Sequence, residues 1–411
     1  MKKLLAIMLM FVFSTPIFVI STEKKPIAFF DKIPTNPNLY HDVSSFSTAD
    51  LTGKVQKIKL GSKFKIRSLI TNKVKTPVFK LSNGRFIRAS HDNVYEDIVL
   101  RRENVKGSYW LKKTFTVYQT PYVAGTKIAN TKLTNYNKVH ISQKAITKHG
   151  IYLKADGQGW INEKDLTVQD NRMEKVQALL TRKYNKPNYS IYVKQLKTRK
   201  TAGINEDKSM YSASVTKLPI LYFIEKQIKD GRVKLTDKFK YIEQVNQFKG
   251  AYKVEGSGEM PKKADNKYYT VDSLLKAVTQ HSDNVASNIL GYYIAHQYDK
   301  TYQKTVLRVA DVKWNMESRN VSSKTAANVM EALYSQKSPV ISYLTSTEFD
   351  NTRISRDIAV PVAHKIGDAY DYKHDVAIIY ADQPFILSVF TDKSSYEDIS
   401  AIADDVYGIL K

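Results

Sequence analysis

The chain contains no cysteine. That absence excludes disulfides, thiol nucleophiles, thiolate zinc sites and thiol redox chemistry, so the core must be stable without covalent staples. It also excludes a lipid-modified cysteine after the N-terminal apolar run. Histidine is scarce at eight residues and no His-Glu-x-x-His run occurs, so the expectation is no catalytic metal and no cofactor. Acidic side chains are the third shortage: 40 Asp and Glu stand against 64 Lys and Arg, a formal charge of +24. An excess of that size calls for a polyanionic partner or for a solvated basic surface.

What is present is a globular composition. Of 411 residues, 42% are apolar and 25% charged, enough for two or three packed domains rather than disorder. Lys2 and Lys3 precede an apolar run from Leu4 to Ile20, followed by polar Ser21-Thr22-Glu23. Residues 1–21 therefore read as a secretory signal peptide, or as an N-terminal membrane anchor, since the run nearly spans a bilayer. Export places the chain outside the cell or on its surface, wall- or membrane-associated. There the available polyanions are phosphate-rich cell-wall polymers and anionic lipid headgroups, and no nucleic acid is expected.

Residues 22–48 read as a polar linker. Up to about residue 170 the sequence then offers short strands such as Lys63-Phe64-Lys65-Ile66, Val78-Phe79-Lys80-Leu81 and Lys138-Val139-His140-Ile141, punctuated by glycines. Two stretches repeat each other weakly: Ser82-Asn83-Gly84-Arg85-Phe86-Ile87-Arg88, and Ala155-Asp156-Gly157-Gln158-Gly159-Trp160-Ile161-Asn162. Each has a glycine hairpin turn followed by an aromatic–aliphatic pair suited to a small barrel. The second resembles the terminal strand of bacterial SH3-like wall-binding modules of the Gly-Trp type. The expected organisation is a degenerate SH3-like module over 49–100 and a Gly-Trp-type module over 101–170.

From Asn171 to Lys411 the texture becomes mixed α and β. Met173, Val176, Leu179, Leu180 and Tyr184 recur at helical spacing, and helices are expected after Ser214 and from Thr270 towards His281. Val376–Tyr380 and Phe385–Thr391 read as adjacent strands. A last helix carries Ile399, Ile402, Val406 and Ile409 on one face, with Ser394 and Glu397 as its expected capping pair.

Three short elements carry chemistry. Ser214-Val215-Thr216-Lys217 opens the apolar run Leu218–Ile224. At a helix start, residues three apart share a face, so the amine of Lys217 can reach the hydroxyl of Ser214. Serine needs such a base, and burial with nearby cations lets a lysine serve as one. Ser282-Asp283-Asn284 follows, with Ser282 as a proton shuttle to the leaving nitrogen, Asn284 as a substrate-amide partner and Asp283 as a loop brace. Lys365-Ile366-Gly367 comes third. Lys365 offers positive charge to a substrate carboxylate, and Gly367 permits close approach of the substrate backbone. The N–H groups of Ser214 and Asp368 form the expected oxyanion hole.

In this order the elements match the Ser-x-x-Lys, Ser-Asp-Asn, Lys-Thr-Gly signature, and residues 171–411 resemble the class A β-lactamases and penicillin-recognising serine hydrolases. The resemblance implies a helical lobe beside an antiparallel sheet flanked by helices. The expected fold is thus multidomain: small SH3-like β-barrels followed by an α+β β-lactamase-like domain. It also implies an acyl-enzyme formed on β-lactams or on D-Ala-containing, peptidoglycan-type substrates.

Two departures qualify that activity. Ile366 replaces the usual hydroxyl residue, removing a donor to the substrate carboxylate worth about 1–3 kcal/mol. Between Asn284 and Lys365, where class A β-lactamases carry a deacylating Glu, the only acid in the stretch from Trp314 to the next helix is Glu317, set close to that helix. Slow deacylation is therefore expected. The alternative is a non-catalytic, teichoic-acid-binding surface protein carrying a relic of the fold.

Overall fold

The computed structural model describes residues 27–411, and the expected signal or anchor lies outside the described residues. Two compact units divide between Val168 and Gln169.

The first unit is built from small antiparallel sheets. Residues 27–48, expected as linker, instead take part in it: Pro37–Leu39 pairs with Val94–Glu96 and Val43–Ser45 with Gln56–Ile58. The reason is apolar burial, since Phe30, Leu39 and Val43 join Phe79, Leu81 and Ile87 in one core. Ile66–Thr71, Pro77–Leu81 and Phe86–Arg88 form a three-stranded sheet. Lys63, Phe64 and Lys65, expected in a strand, precede its first strand. The remainder of the unit is a six-stranded sheet whose longest members are Arg101–Leu111 and Lys138–Thr147. The two repeat-like stretches are both hairpins, turning at Gly84 (φ 81°) and Gly157 (φ 69°). Each buries its aliphatic residue, Ile87 or Ile161, completely.

The second unit carries a five-stranded antiparallel sheet. Its strands are β1 (Tyr189–Gln195), β2 (Thr201–Ile204), β3 (Val362–Ala369), β4 (Tyr372–Ile379) and β5 (Phe385–Asp392), in the spatial order β2-β1-β5-β4-β3. The three longest strands and β1 are buried along nearly their whole length because helices cover both faces, and the polar residues within them, such as His364, Lys365, His374 and Asp375, are enclosed with the rest. On one face α1 (Arg172–Leu179) and α8 (Tyr396–Leu410) pack Val176, Ile399, Ile402 and Val406 against Ile191, Leu387 and Ile379. On the other lies a helical lobe. It comprises α2 (Lys217–Lys229), α3 (Val271–Gln280), α4 (Asn284–Tyr293), α5 (Lys300–Ala310), α6 (Ser323–Gln336) and α7 (Pro339–Tyr343). The capping box of α8 is Ser395 with Asp398, one residue later than the expected Ser394 with Glu397. In that register Ser395 Oγ accepts the Asp398 N–H and the Asp398 carboxylate accepts the Ser395 N–H.

Candidate active site

Ser214 sits in a tight turn, Ala213–Thr216, that runs into α2. Ala213 takes a left-handed φ of 48°, a conformation costing a non-glycine residue about 1–3 kcal/mol. The turn is pinned from behind, where Ser212 donates both its N–H (2.8 Å) and its hydroxyl (2.7 Å) to the carbonyl of Arg319. This over-determined backbone leaves Ser214 half-buried while its neighbours Ala213 and Val215 are buried.

Lys217, in the first turn of α2, is fully buried. Its Nζ lies 2.9 Å from Ser214 Oγ, 2.7 Å from Asn284 Oδ1, 2.6 Å from the Ser282 carbonyl and 3.3 Å from Ser282 Oγ. Burial holds its pKa well below the ordinary lysine value, and the cations Lys365, Arg319 and Lys262 push the same way against Asp283. An amine so shifted has a lone pair to offer the hydroxyl beside it.

Ser282, with φ 51°, caps the gap between α3 and α4. Its Oγ accepts a 2.8 Å hydrogen bond from Lys365 Nζ, so one hydroxyl stands between the two lysines. Asp283 braces the loop: its carboxylate accepts the N–H groups of Ala286 and Met260, both at 2.8 Å, which caps α4 and fastens the 256–260 loop. Asn284 was expected to meet the substrate, yet both ends of its amide are engaged within the protein. Oδ1 receives Lys217 and Nδ2 donates to the Lys253 carbonyl at 2.7 Å. One N–H of that amide remains.

β3 is the edge strand beside the turn. Lys365 on it is 1% exposed, and its amine bonds Ser282 and the Ile366 carbonyl (3.2 Å) rather than facing solvent. Burial brings its pKa down to about 7, with Arg353 lowering it further and Asp375 opposing. Gly367 has a nearer reason to lack a side chain than the expected substrate contact. A Cβ there would stand 2.6 Å from the Ser212 carbonyl and 3.0 Å from Val215 Cγ2, forcing β3 off the nucleophile turn. Ile366 is buried on the opposite strand face from Lys365, directly across from Asp375. The N–H of Asp368 shares the outer strand edge with that of His364, four residues earlier, which donates away from the sheet to Leu344. The Asp368 carboxylate pairs with Arg353 at 2.6 Å.

Several residues at this site carried no sequence signal. His364 is completely buried between two carboxylates, with Nδ1 3.0 Å from Asp375 and Nε2 3.1 Å from Asp350. Burial opposes its charge, but the two carboxylates outweigh it and raise its pKa to about 9. His374 is the converse case: burial lowers its pKa to about 4. Its Nε2 meets the Tyr211 carbonyl at 2.8 Å and its Nδ1 accepts the Thr391 N–H at 3.1 Å, so the ring is held neutral. Tyr252, fully buried, presents its ring 4.7 Å from Lys217 Nζ and 3.8 Å from the Arg319 guanidinium. These groups come together from positions as many as 163 residues apart, as His374 and Tyr211 are, and single-sequence periodicity is blind to that.

Glu317 lies half-exposed in an ion pair with Lys249 at 3.1 Å. Among the described residues, no carboxylate hydrogen-bonds Ser214, Lys217, Ser282 or Lys365. Glu259, His281 and Glu348 bring possible metal-ligand atoms within 4.8 Å of one another. His281 Nδ1 lies 3.2 Å from Glu348 and 3.6 Å from Glu259.

The sheet, the helical lobe and the Ser–Lys–Ser cluster define a β-lactamase-like serine hydrolase fold. The chain belongs to the Beta-lactamase enzyme family, whose model matches residues 171–410. Residues 29–94 match a second family, a domain of unknown function (DUF5776). No curated protein matches the chain. Among solved structures, PBP-A is 16% identical, with 58% of this chain and 94% of that one covered and a TM-score of 0.48. A β-lactamase from Sphaerobacter thermophilus is 18% identical, covering 59% and 97%, with a TM-score of 0.46.

Proposed function

We propose that this protein is an exported serine hydrolase that forms an acyl-enzyme on Ser214 with β-lactams or D-Ala-containing wall peptides. The observation that carries the reading is the 2.9 Å approach of the Lys217 amine to the Ser214 hydroxyl, with Ser282 bridging Lys217 and Lys365. Ser214 Oγ attacks the substrate carbonyl carbon and its proton passes to neutral Lys217. The N–H groups of Ser214 and Asp368 receive the oxyanion. As the C–N bond breaks, the proton moves from Lys217 through Ser282 Oγ to the leaving nitrogen, and the protonated amine of Lys365 keeps that hydroxyl oriented. Asn284 supports the base and offers its remaining N–H to a substrate amide. Gly367 keeps β3 against the turn.

Release of the acyl group requires an activated water. General-base assistance is worth about 10²–10⁴-fold, and among the described residues no carboxylate hydrogen-bonds Ser214, so acylation outpaces hydrolysis. Intact mass after mixing with a penicillin tests this directly: the adduct forms, persists over many minutes and is absent in Ser214→Ala. Rapid multiple turnover of a chromogenic cephalosporin would overturn the slow-release part. Absence of any adduct would remove penicillins from the substrate class.

The location follows from the basic start and apolar run over residues 2–20 and from the charge of +24. On the same reading the six-stranded sheet is an SH3-like module that keeps the enzyme on the wall. Deleting residues 1–21 should leave the protein inside the cell.

A further inference from the structure

The first β unit carries a charge pattern that catalysis does not use. From Leu51 to His91 there are eleven Lys and Arg and not one Asp or Glu. Acids from outside this stretch answer two of the cations, Asp42 at Lys59 and Asp50 at Lys73. Lys63 and Lys65, both exposed, have no ionic partner among the described residues and flank Phe64 on one wall of a groove of about 670 Å³. Asn36, Asn38 and Asn83 line the same groove and supply amides. Asn36 and Asn38 use their Nδ2 groups within the protein, whereas Asn83 uses its Oδ1. Among the described residues, the oxygens of the first two and the Nδ2 of the third have no hydrogen-bond partner and are open to a ligand.

We propose that this groove binds a polyol phosphodiester polymer, a chain in which phosphates alternate with short hydroxylated carbon segments. Lys63 and Lys65 meet successive phosphates, the Asn83 amide donates to a phosphate oxygen, and the Asn36 and Asn38 carbonyls accept the polyol hydroxyls. Phe64 gives the carbon segments an apolar contact. A bilayer fits worse, because a planar headgroup surface does not fill a concave groove. Single-stranded nucleic acid fits worse as well, since sequence-tolerant binding relies on exposed aromatic platforms. The only aromatic ring here, Phe64, is half-buried against the unit's own core. The inference deepens the wall-associated reading above, and the binding itself is independent of the chemistry at Ser214.

The test uses the full chain and poly(glycerol phosphate), with binding measured between 50 and 200 mM salt. Wild type should bind, and its affinity should fall linearly on a log–log salt plot. Lys63→Gln with Lys65→Gln should weaken binding roughly tenfold or more and flatten that slope by about 1 to 2, the signature of two lost phosphate contacts. Lys54→Gln with Lys75→Gln removes two exposed cations of the same acid-free run outside the groove, and should cost about twofold. Equal losses in the two double variants would overturn the groove in favour of diffuse charge. So would tighter binding to phosphatidylglycerol vesicles, or to a DNA strand of equal phosphate number, and so would no binding at all. Penicillin labelling of Ser214 in the same samples separates the two readings: labelling without polymer binding overturns only the groove, and binding without labelling supports it.

Discussion

The two units use lysine in opposite ways. In the second, Lys217 and Lys365 are fully enclosed, share one serine hydroxyl between them and have pKa values driven down by burial. In the first, Lys63 and Lys65 lie in water beside an open groove. The residue type is the same and its surroundings decide its chemistry: enclosure makes a proton acceptor, exposure a fixed charge for polyanions. Net charge alone would have put all four in one class.

The sharpest way to break this contrast is to remove an enclosed lysine. Lys217→Gln should slow acylation of Ser214 by about 10²–10⁴-fold, read as the rate of penicillin adduct formation. Exchange of Lys63 and Lys65 should leave that rate unchanged. The pH profile refines the point. Acylation needs Lys217 neutral, so it rises with pH through that residue's lowered pKa. It also needs Lys365 charged, so it falls as pH rises past about 7. Lys365→Arg keeps the charge at all working pH values and should carry the falling limb to higher pH; a falling limb that stays in place would assign it to another group.

A smaller effect tests the charges behind β3. Asp375→Asn leaves protonated His364 in a buried site with one carboxylate fewer, and should cost about 3–5 kcal/mol of stability by urea unfolding. The sign with pH is fixed as well. The folded pKa of His364, about 9, lies above the ordinary imidazole value of 6.5, so its contribution is complete below about 6.5 and is lost as pH rises through 9. Asp375→Asn should shrink that window. Smaller again is Gly367→Ala, whose Cβ cannot share space with the Ser212 carbonyl. A loss of about 1–3 kcal/mol is expected, together with slower acylation because the strand edge withdraws from the nucleophile. A neutral result would mean the turn yields more easily than its hydrogen bonds suggest.

Much of the second unit could be read from its residues. Ser214, Lys217, Ser282, Asn284 and Lys365 were singled out by local spacing and context, and the structure joins them in one hydrogen-bonded chain. The helices after Ser214 and Thr270 and the paired strands near the end follow from periodicity that tertiary packing did not override. Roles that depend on three-dimensional neighbours were less legible. Gly367 makes room for Ser212, 155 positions earlier in the chain, and Asn284 faces Lys253. His364 gave no sign of the two carboxylates that enclose it. In the first unit the stretch 27–48 reads as linker because Pro34, Pro37 and the polar Thr35, Asn36 and Asn38 break its apolar residues into short groups. Three of them, Phe30, Leu39 and Val43, suffice to bind it into a core as small as that one.

Arg319 has a consequence for anyone who would re-engineer this enzyme. Its carbonyl holds the turn that carries Ser214, while its guanidinium donates to the carbonyls of Gly250 and Ala251 and to that of Met316 in its own loop. One residue thus acts as a tie rod through its main chain and its side chain together, so a ligand that lifts the 250–251 segment pulls on the turn that carries Ser214. On the proposed function, grafting a water-activating acid beside Ser214 is the route to faster release of the acyl group. It will succeed only if the graft leaves this strut in place.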